Sequence, residues 1–378
     1  MKIAVNTRLL LPDRLEGIGW FEYETLKIIT RQHPEHQFFF IFDRPYSSKF
    51  VFSNNIEPVA VFPPARHPYL WYAFFEYAVP RTLKRVGADI FLSPDGWLSL
   101  KTDIPQIAVI HDLNFEHHDD FLKPSHQKYM KKYFPQFANV AARIATVSEF
   151  SKQDIHTLYD IPNDRIDVVY NGVNTQRYVP LSDERKKLVR ETYTQGHDYF
   201  LFVSAIHKRK NLANILRAFD KFKSERDSEI KFVVVGDKAG MQGDLDEVYR
   251  SMKYREDVIF LGHISTMELG WLQGAAIALV YASLFEGFGI PIVEAFHAET
   301  AVITSNVTSM PEVAGDAALL VNPYDYEEIA AAMRKLADEP DLRETLIQQG
   351  RTQREKFSWE QSAVRLWNCI EKVIQDVR

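Results

Sequence analysis

The chain has 378 residues, 46% hydrophobic and 25% charged, with a net charge of −6. That length suits two domains of ordinary size, and the composition excludes a disordered or fibrous chain. The acidic balance argues against a broad nucleic-acid footprint, and the single cysteine, Cys369, cannot form an internal disulfide, which points to a reducing cytoplasm.

The first predicted strand is KIAVN (2–6), after which Asn6, Thr7 and Arg8 interrupt any signal-peptide core. No apolar run approaches the roughly 20 residues that span a bilayer, so a cytoplasmic or peripheral protein is expected. Further β-branched or aromatic runs are QFFFIF (37–42), DIFLS (89–93), QIAVI (106–110), RIATV (143–147) and DVVY (167–170). Helical periodicity separates most of them, which reads as right-handed crossovers in a mostly parallel sheet. After Asn171-Gly172-Val173 the chain turns polar, with a charged surface helix over 181–196. The pattern then restarts with YFLFVS (199–204), KFVVVG (231–236), DVIFLG (257–262), AIALVY (276–281), AVITS (301–305) and AALLV (317–321). Two doubly wound domains are implied, joined near 172–185, with ligand between them outside the carboxyl ends of the strands. The tail FSWEQSAVRLWNCIEKVIQ (357–375) predicts an amphipathic helix capped by Ser358, with Trp359, Ala363, Leu366, Trp367, Ile370 and Ile374 on one face.

The stretch LFEGFGIPIVEAF (284–296) follows the strand AIALVY. Pro291 suits a first helical turn and the preceding glycines permit close backbone approach, so a helix from about Ile290 offers free N–H groups to an anion, most naturally phosphate. Glu286 and Glu294 flank this turn, and carboxylates beside phosphate call for hydroxyl donors such as a sugar. A nucleotide sugar meets both demands, although spacing alone fits two solvated glutamates equally well.

The segment resembles the E-x7-E motif of retaining nucleotide-sugar glycosyltransferases of family 4, and bacterial mannosyltransferases among them. GIGWFEYE (17–24), IHDL (110–113), TVSEFSKQDI (146–155), YNGV (170–173), HKRKNL (207–212) and SMPEVAGDAALLVNP (309–323) are similar to that family's other motifs, in the same order and nearly end to end. The resemblance implies an α/β chain of the GT-B fold: two doubly wound Rossmann-like domains facing across a cleft, with a C-terminal helix packing back on the first. It places an acceptor-binding domain at 1–177, a donor-binding domain at 178–356 and the returning helix at 357–378. It implies that Glu294 binds the nucleotide ribose, Glu286 the transferred sugar's hydroxyls, and backbone around Phe288, Gly289 and Ile290 the sugar and phosphates. Arg209 and Lys210 would neutralise the diphosphate, with a one-residue ambiguity left by Lys208. His111 would face the donor sugar and stabilise charge, while Gly17, Gly19 and Ile264 join the donor site. Without the resemblance, the basic run reads as a solvated face, the glycines as a turn before a helix, and the lone histidine as structural.

The implied reaction moves a hexose, mannose from GDP-mannose being favoured, to a glycan or lipid-linked acceptor in polysaccharide or lipopolysaccharide synthesis, without metal. The alternatives are a sugar-nucleotide epimerase or hydrolase of the same fold, or a non-catalytic carbohydrate-binding subunit. Asp244-Leu245-Asp246 reads as a surface carboxylate cluster, and His111, His117, His118, Asp119 and Asp120 do not have metal-ligand spacing. The aromatic and basic stretches 67–85 and 123–134 suit a bilayer surface or a buried aromatic face. One departure from the family stands out: Ala298-Glu299-Thr300 replaces a small Cys-Gly-type turn, which leaves the local turn geometry open.

Overall fold

The computed structural model describes residues 1–12, 15–236 and 243–377. The chain divides into two compact units, Met1–Gly172 with Ser358–Arg378, and Val173–Phe357.

The first unit is built on a parallel sheet of seven strands: β1 (Lys2–Asn6), β2 (Gln37–Phe42), β3 (Ile56–Ala60), β4 (Ile90–Ser93), β5 (Gln106–Ile110), β6 (Arg143–Thr146) and β7 (Ile166–Val168). Their order is β3-β2-β1-β4-β5-β6-β7. Strands covered on both faces must be apolar throughout, and QFFFIF and QIAVI are buried almost along their length. The order reverses between β1 and β4, so a crevice opens beyond the carboxyl ends of those two strands.

The second unit has six strands: β8 (Tyr199–Val203), β9 (Lys231–Val235), β10 (Val258–Gly262), β11 (Ala278–Tyr281), β12 (Ala301–Ser305) and β13 (Leu319–Val321). Their order is β10-β9-β8-β11-β12-β13, all parallel, and the reversal falls between β8 and β11.

Two elements differ from the sequence expectation. β3 was not foreseen, because IEPVA carries Glu57 and Pro58; it lies at the sheet edge, where a missing N–H costs least. The strand expected at 167–170 runs instead over Ile166–Val168. The aromatic stretches are mainly core. Trp71, Phe74, Phe75, Tyr129, Phe134 and Phe137 are buried, and Trp97 stacks on Phe75 and Tyr129. Tyr69 and Tyr77 remain exposed. Asp244 and Asp246 sit on a helix, paired with Arg217 and Arg250. Among the described residues no helix is long and apolar enough to cross a membrane.

The C-terminal helix Trp359–Val377 belongs to the first unit, where it packs on the helix Gly17–Gln32. Ser358 caps it, accepting from the Gln361 N–H at 3.2 Å. Trp367 stacks on His33 at 3.5 Å between ring centroids, and Lys372 reaches Asp167 at 2.6 Å. The chain leaves β7 through Gly172, whose missing side chain makes room for this helix: an added Cβ would lie 2.2 Å from the Trp359 nitrogen. Gly172→Ala is therefore expected to destabilise the protein by about 1–3 kcal/mol through overpacking, read as a lower denaturant midpoint. An unchanged midpoint would show that the junction is not tightly packed.

Candidate active site

In the second unit, the turn Lys208–Lys210 follows β8, and Asn211 ends it in the left-handed conformation at φ 62°. The Asn211 amide donates to the carbonyls of Ala282 at 2.8 Å and Pro323 at 2.7 Å, and the Leu284 N–H donates to the Arg209 carbonyl at 2.8 Å. The basic turn is thereby tied to the loop that leaves β11. Across that tie, Arg209 donates to one oxygen of Glu286 at 2.5 Å and Lys210 to the other at 2.7 Å. Lys210 also reaches the Tyr281 hydroxyl at 2.8 Å, and Arg209 the Phe285 carbonyl at 2.9 Å. Lys208, the third member of the basic triplet, is exposed, whereas Arg209 and Lys210 are partly buried against Glu286.

Glu286 is 5% exposed. Burial alone would raise its pKa, but Arg209 and Lys210 outweigh that and hold it at about 2. The triad carries two positive charges against one negative. Beside it, the loop to Gly289 is pinned by Ser309, whose hydroxyl donates to the carbonyls of Glu286 at 2.8 Å and Phe288 at 3.1 Å. Gly289 has φ 104°, a conformation that favours glycine, and it caps the helix Ile290–His297 with no side-chain acceptor for the first N–H groups. Phe288 is buried against Phe357.

Glu294 lies one turn along this helix, partly buried. Burial raises its pKa to about 7, against a hydrogen bond from Tyr178 and the nearby Arg177. The two carboxylates of the motif are thus electrostatically unlike: one is permanently ionised and the other is poised near neutrality. Ile264 sits beyond the carboxyl end of β10, just before Ser265 caps the next helix.

The remaining sequence candidates lie on the first unit. Gly17 and Gly19 are not in a loop but form the first turn of the helix Gly17–Gln32, because Glu16 takes the N-cap position. Gly19 is buried, and a Cβ there would lie 3.1 Å from the Leu9 carbonyl, so its smallness serves packing. His111 follows β5. Its Nε2 is 2.8 Å from the Pro94 carbonyl, an acceptor only, so Nε2 carries the proton and Nδ1 is an acceptor in the neutral ring. Burial lowers its pKa against the opposing effects of Pro94, Asp112 and Asp95. The Pro94 contact thus sets the tautomer of the neutral ring and leaves Nδ1 as its acceptor atom.

Sequence reasoning missed several polar groups here. Asp95 accepts from Arg8 at 2.5 Å, Asn6 at 2.8 Å and Ser93 at 3.0 Å, at the carboxyl ends of β1 and β4. Glu22, fully buried beside them, has a pKa raised well above the usual range by burial and by Asp95, with Arg8 opposing. Burial and Asp95 both favour its protonated form. Tyr178 and Tyr281 were also missed, since a lone tyrosine carries no spacing signal; only their place after YNGV and at the end of AIALVY could have marked them.

The turn left open by the sequence is resolved. Glu299 has φ 56°, which glycine adopts freely and glutamate does not, and it is held by Arg351 through two bonds of 2.8 and 2.5 Å. Arg354, just past the helix Pro340–Gln353 that carries Arg351, donates to the Phe296 carbonyl at 3.2 Å and ties that helix's end to Ile290–His297. Glu299→Ala loses the ion pair and keeps the strain, whereas Glu299→Gly loses the pair and relieves the strain. Glu299→Ala is expected to be the less stable by about 1 kcal/mol in chemical denaturation; equal midpoints would mean the turn is unstrained.

Residues 26–177 match the family described as Glycosyltransferase Family 4, and residues 184–353 the one described as Glycosyl transferases group 1. O-antigen chain mannosyltransferase B of Escherichia coli is 31% identical over 270 residues, 70% of each chain. O-antigen chain mannosyltransferase RfbU of Salmonella typhimurium is 28% identical over 276 residues, 72% of each chain. Among solved structures, sucrose-phosphate synthase from Thermosynechococcus elongatus shares the fold with a TM-score of 0.80 at 16% identity, covering 99% of both chains. The chain is therefore a member of the GT-B glycosyltransferases in which a family 4 domain precedes a group 1 domain.

Proposed function

We propose that the enzyme transfers a hexosyl unit from a nucleoside diphosphate sugar to a glycan or lipid-linked glycan, with retention at the anomeric carbon, in surface polysaccharide or lipopolysaccharide synthesis. The observation that carries this reading is the convergence of two cations beside a helix N-terminus. Arg209 and Lys210 grip one carboxylate at 2.5 and 2.7 Å, directly before the helix Ile290–His297. Two cations beside a dipole worth about half a charge suit a diphosphate. Mannose, and hence GDP-mannose, is favoured because the similar E. coli and Salmonella proteins are named mannosyltransferases.

In this scheme the bond from the anomeric carbon to the diphosphate oxygen breaks, and its electron pair stays with the diphosphate. Arg209, Lys210 and the helix end stabilise that departing charge. The acceptor hydroxyl attacks the same face and its proton passes to the leaving oxygen. Glu286 is a poor candidate for a nucleophile, since two cations bind its oxygens and hold its pKa at about 2. Its role is to position the cations and accept from sugar hydroxyls, while Glu294 accepts from the ribose. His111 Nδ1 accepts from a hydroxyl of the reacting sugars.

Lys210→Ala is expected to lower kcat by about 10²–10³, the loss typical of one preorganised group at a developing charge, with an unchanged circular dichroism spectrum. Because protein cations supply the neutralisation, turnover is expected to survive a chelator. Near-wild-type kcat in the variant, or loss with EDTA, would refute the scheme.

A second expectation concerns pH. Glu294 must ionise to accept from ribose, and its pKa of about 7 lies above the ordinary carboxylate value. Ionisation costs the free fold, so stability falls as pH rises from the unfolded value toward 7. Donor affinity moves the opposite way: it rises up to about ten-fold per pH unit below 7 and levels off above. Calorimetric titration with GDP-mannose from pH 5.5 to 8.5 reads this directly. A flat profile would remove Glu294 from the donor site.

A further inference from the structure

The donor triad occupies the carboxyl edge of the second sheet. At the amino edge of the same sheet lies a cavity of about 160 Å³ that the reaction does not use. It is bounded by residues just before or at the starts of three strands: Asp198 before β8, Ile277 before β11, and Thr300 and Ala301 at β12. Two helices close it, Asp183–Thr194 with Lys186 and Arg190, and Pro340–Gln353 with Arg343 and Ile347.

Its lining charges do not cancel locally. Lys186 and Arg343 have no carboxylate within ion-pair distance among the described residues, and Arg190 meets Asp198 only at 3.5 Å. Arg343 spends one nitrogen on the carbonyls of Leu336 and Ala337, which fixes the guanidinium and leaves its other edge for a ligand. Of the two carboxylates, Glu299 is already taken by Arg351, with Arg354 at 3.8 Å. The helix Thr266–Ala275 ends at the cavity, but Thr300 occupies the Gln273 carbonyl at 2.6 Å, which removes one acceptor from the surface. Three cations brought in from two helices around a space of this size match a tetrahedral dianion better than a sugar or a nucleotide.

We propose that this cavity is a second anion site, separate from the donor site, which binds phosphate or a small phosphate monoester between Lys186, Arg190 and Arg343.

The test must exclude phosphate bound at the donor triad. The Arg209→Ala/Lys210→Ala/Glu286→Gln variant, which removes the triad's carboxylate together with its cations, silences that site and serves as the parent. At matched ionic strength, 20 mM inorganic phosphate in place of chloride is expected to raise its Tm by about 2–4 °C. Adding Lys186→Gln and Arg343→Gln should abolish the rise, measured against each variant's own Tm in chloride, and weaken phosphate at least ten-fold in calorimetric titration. Arg190→Gln alone, should the double change impair folding, is expected to weaken phosphate several-fold. Glycerol 3-phosphate is run beside inorganic phosphate: tighter binding of the ester marks the natural ligand as a monoester, and equal binding marks it as the free ion. The proposal fails if the parent shows no rise, or if the rise survives in the Lys186 and Arg343 variants.

Discussion

The second unit of this glycosyltransferase depends on one buried ion triad. Glu286 could not remain ionised at 5% exposure without cations, and two cations could not be brought into the sheet edge without a carboxylate. The two cations come from the turn after β8 and the carboxylate from the loop after β11, so the mutual requirement fixes the ends of these strands against each other. The Asn211 amide and the Leu284 N–H hold the backbones in the same register. The cations are thereby held in place before any ligand arrives, as the proposed role at a departing diphosphate requires.

The first unit solves a similar problem differently. At the reversal between β1 and β4, Asp95 is satisfied by Arg8, Asn6 and Ser93. Burial first, and Asp95 second, push the pKa of Glu22 up and favour its protonated form. His111 is also neutral, with its tautomer set by the Pro94 carbonyl. This edge therefore gathers mainly hydrogen-bonding groups, whereas the edge in the second unit gathers an ion triad of two cations and one carboxylate.

The architecture was largely legible, because strands covered on both faces must be apolar runs and such runs are visible without coordinates. Ile56–Ala60 escaped because edge strands tolerate Pro58 and Glu57, which read as loop. The motif carboxylates were legible by position only. Glu286 and Glu294 look alike in the chain, yet one lies between two cations and the other against a tyrosine hydroxyl, and the resulting pKa values of about 2 and about 7 depend on neighbours 70 or more residues away in sequence.

Glu299 shows the same division from the opposite side. Its place in a turn that usually holds glycine marks it as odd, but nothing local reveals that Arg351, 52 residues on, compensates for the conformation. What the sequence by itself determined is the order of strands and helices, the glycine at position 289 and the types of charge available, since these follow from local periodicity and backbone sterics. Which charges meet, which are buried and which stay protonated was decided only by the tertiary structure, because solvation and Coulomb energy depend on distances the chain acquires on folding.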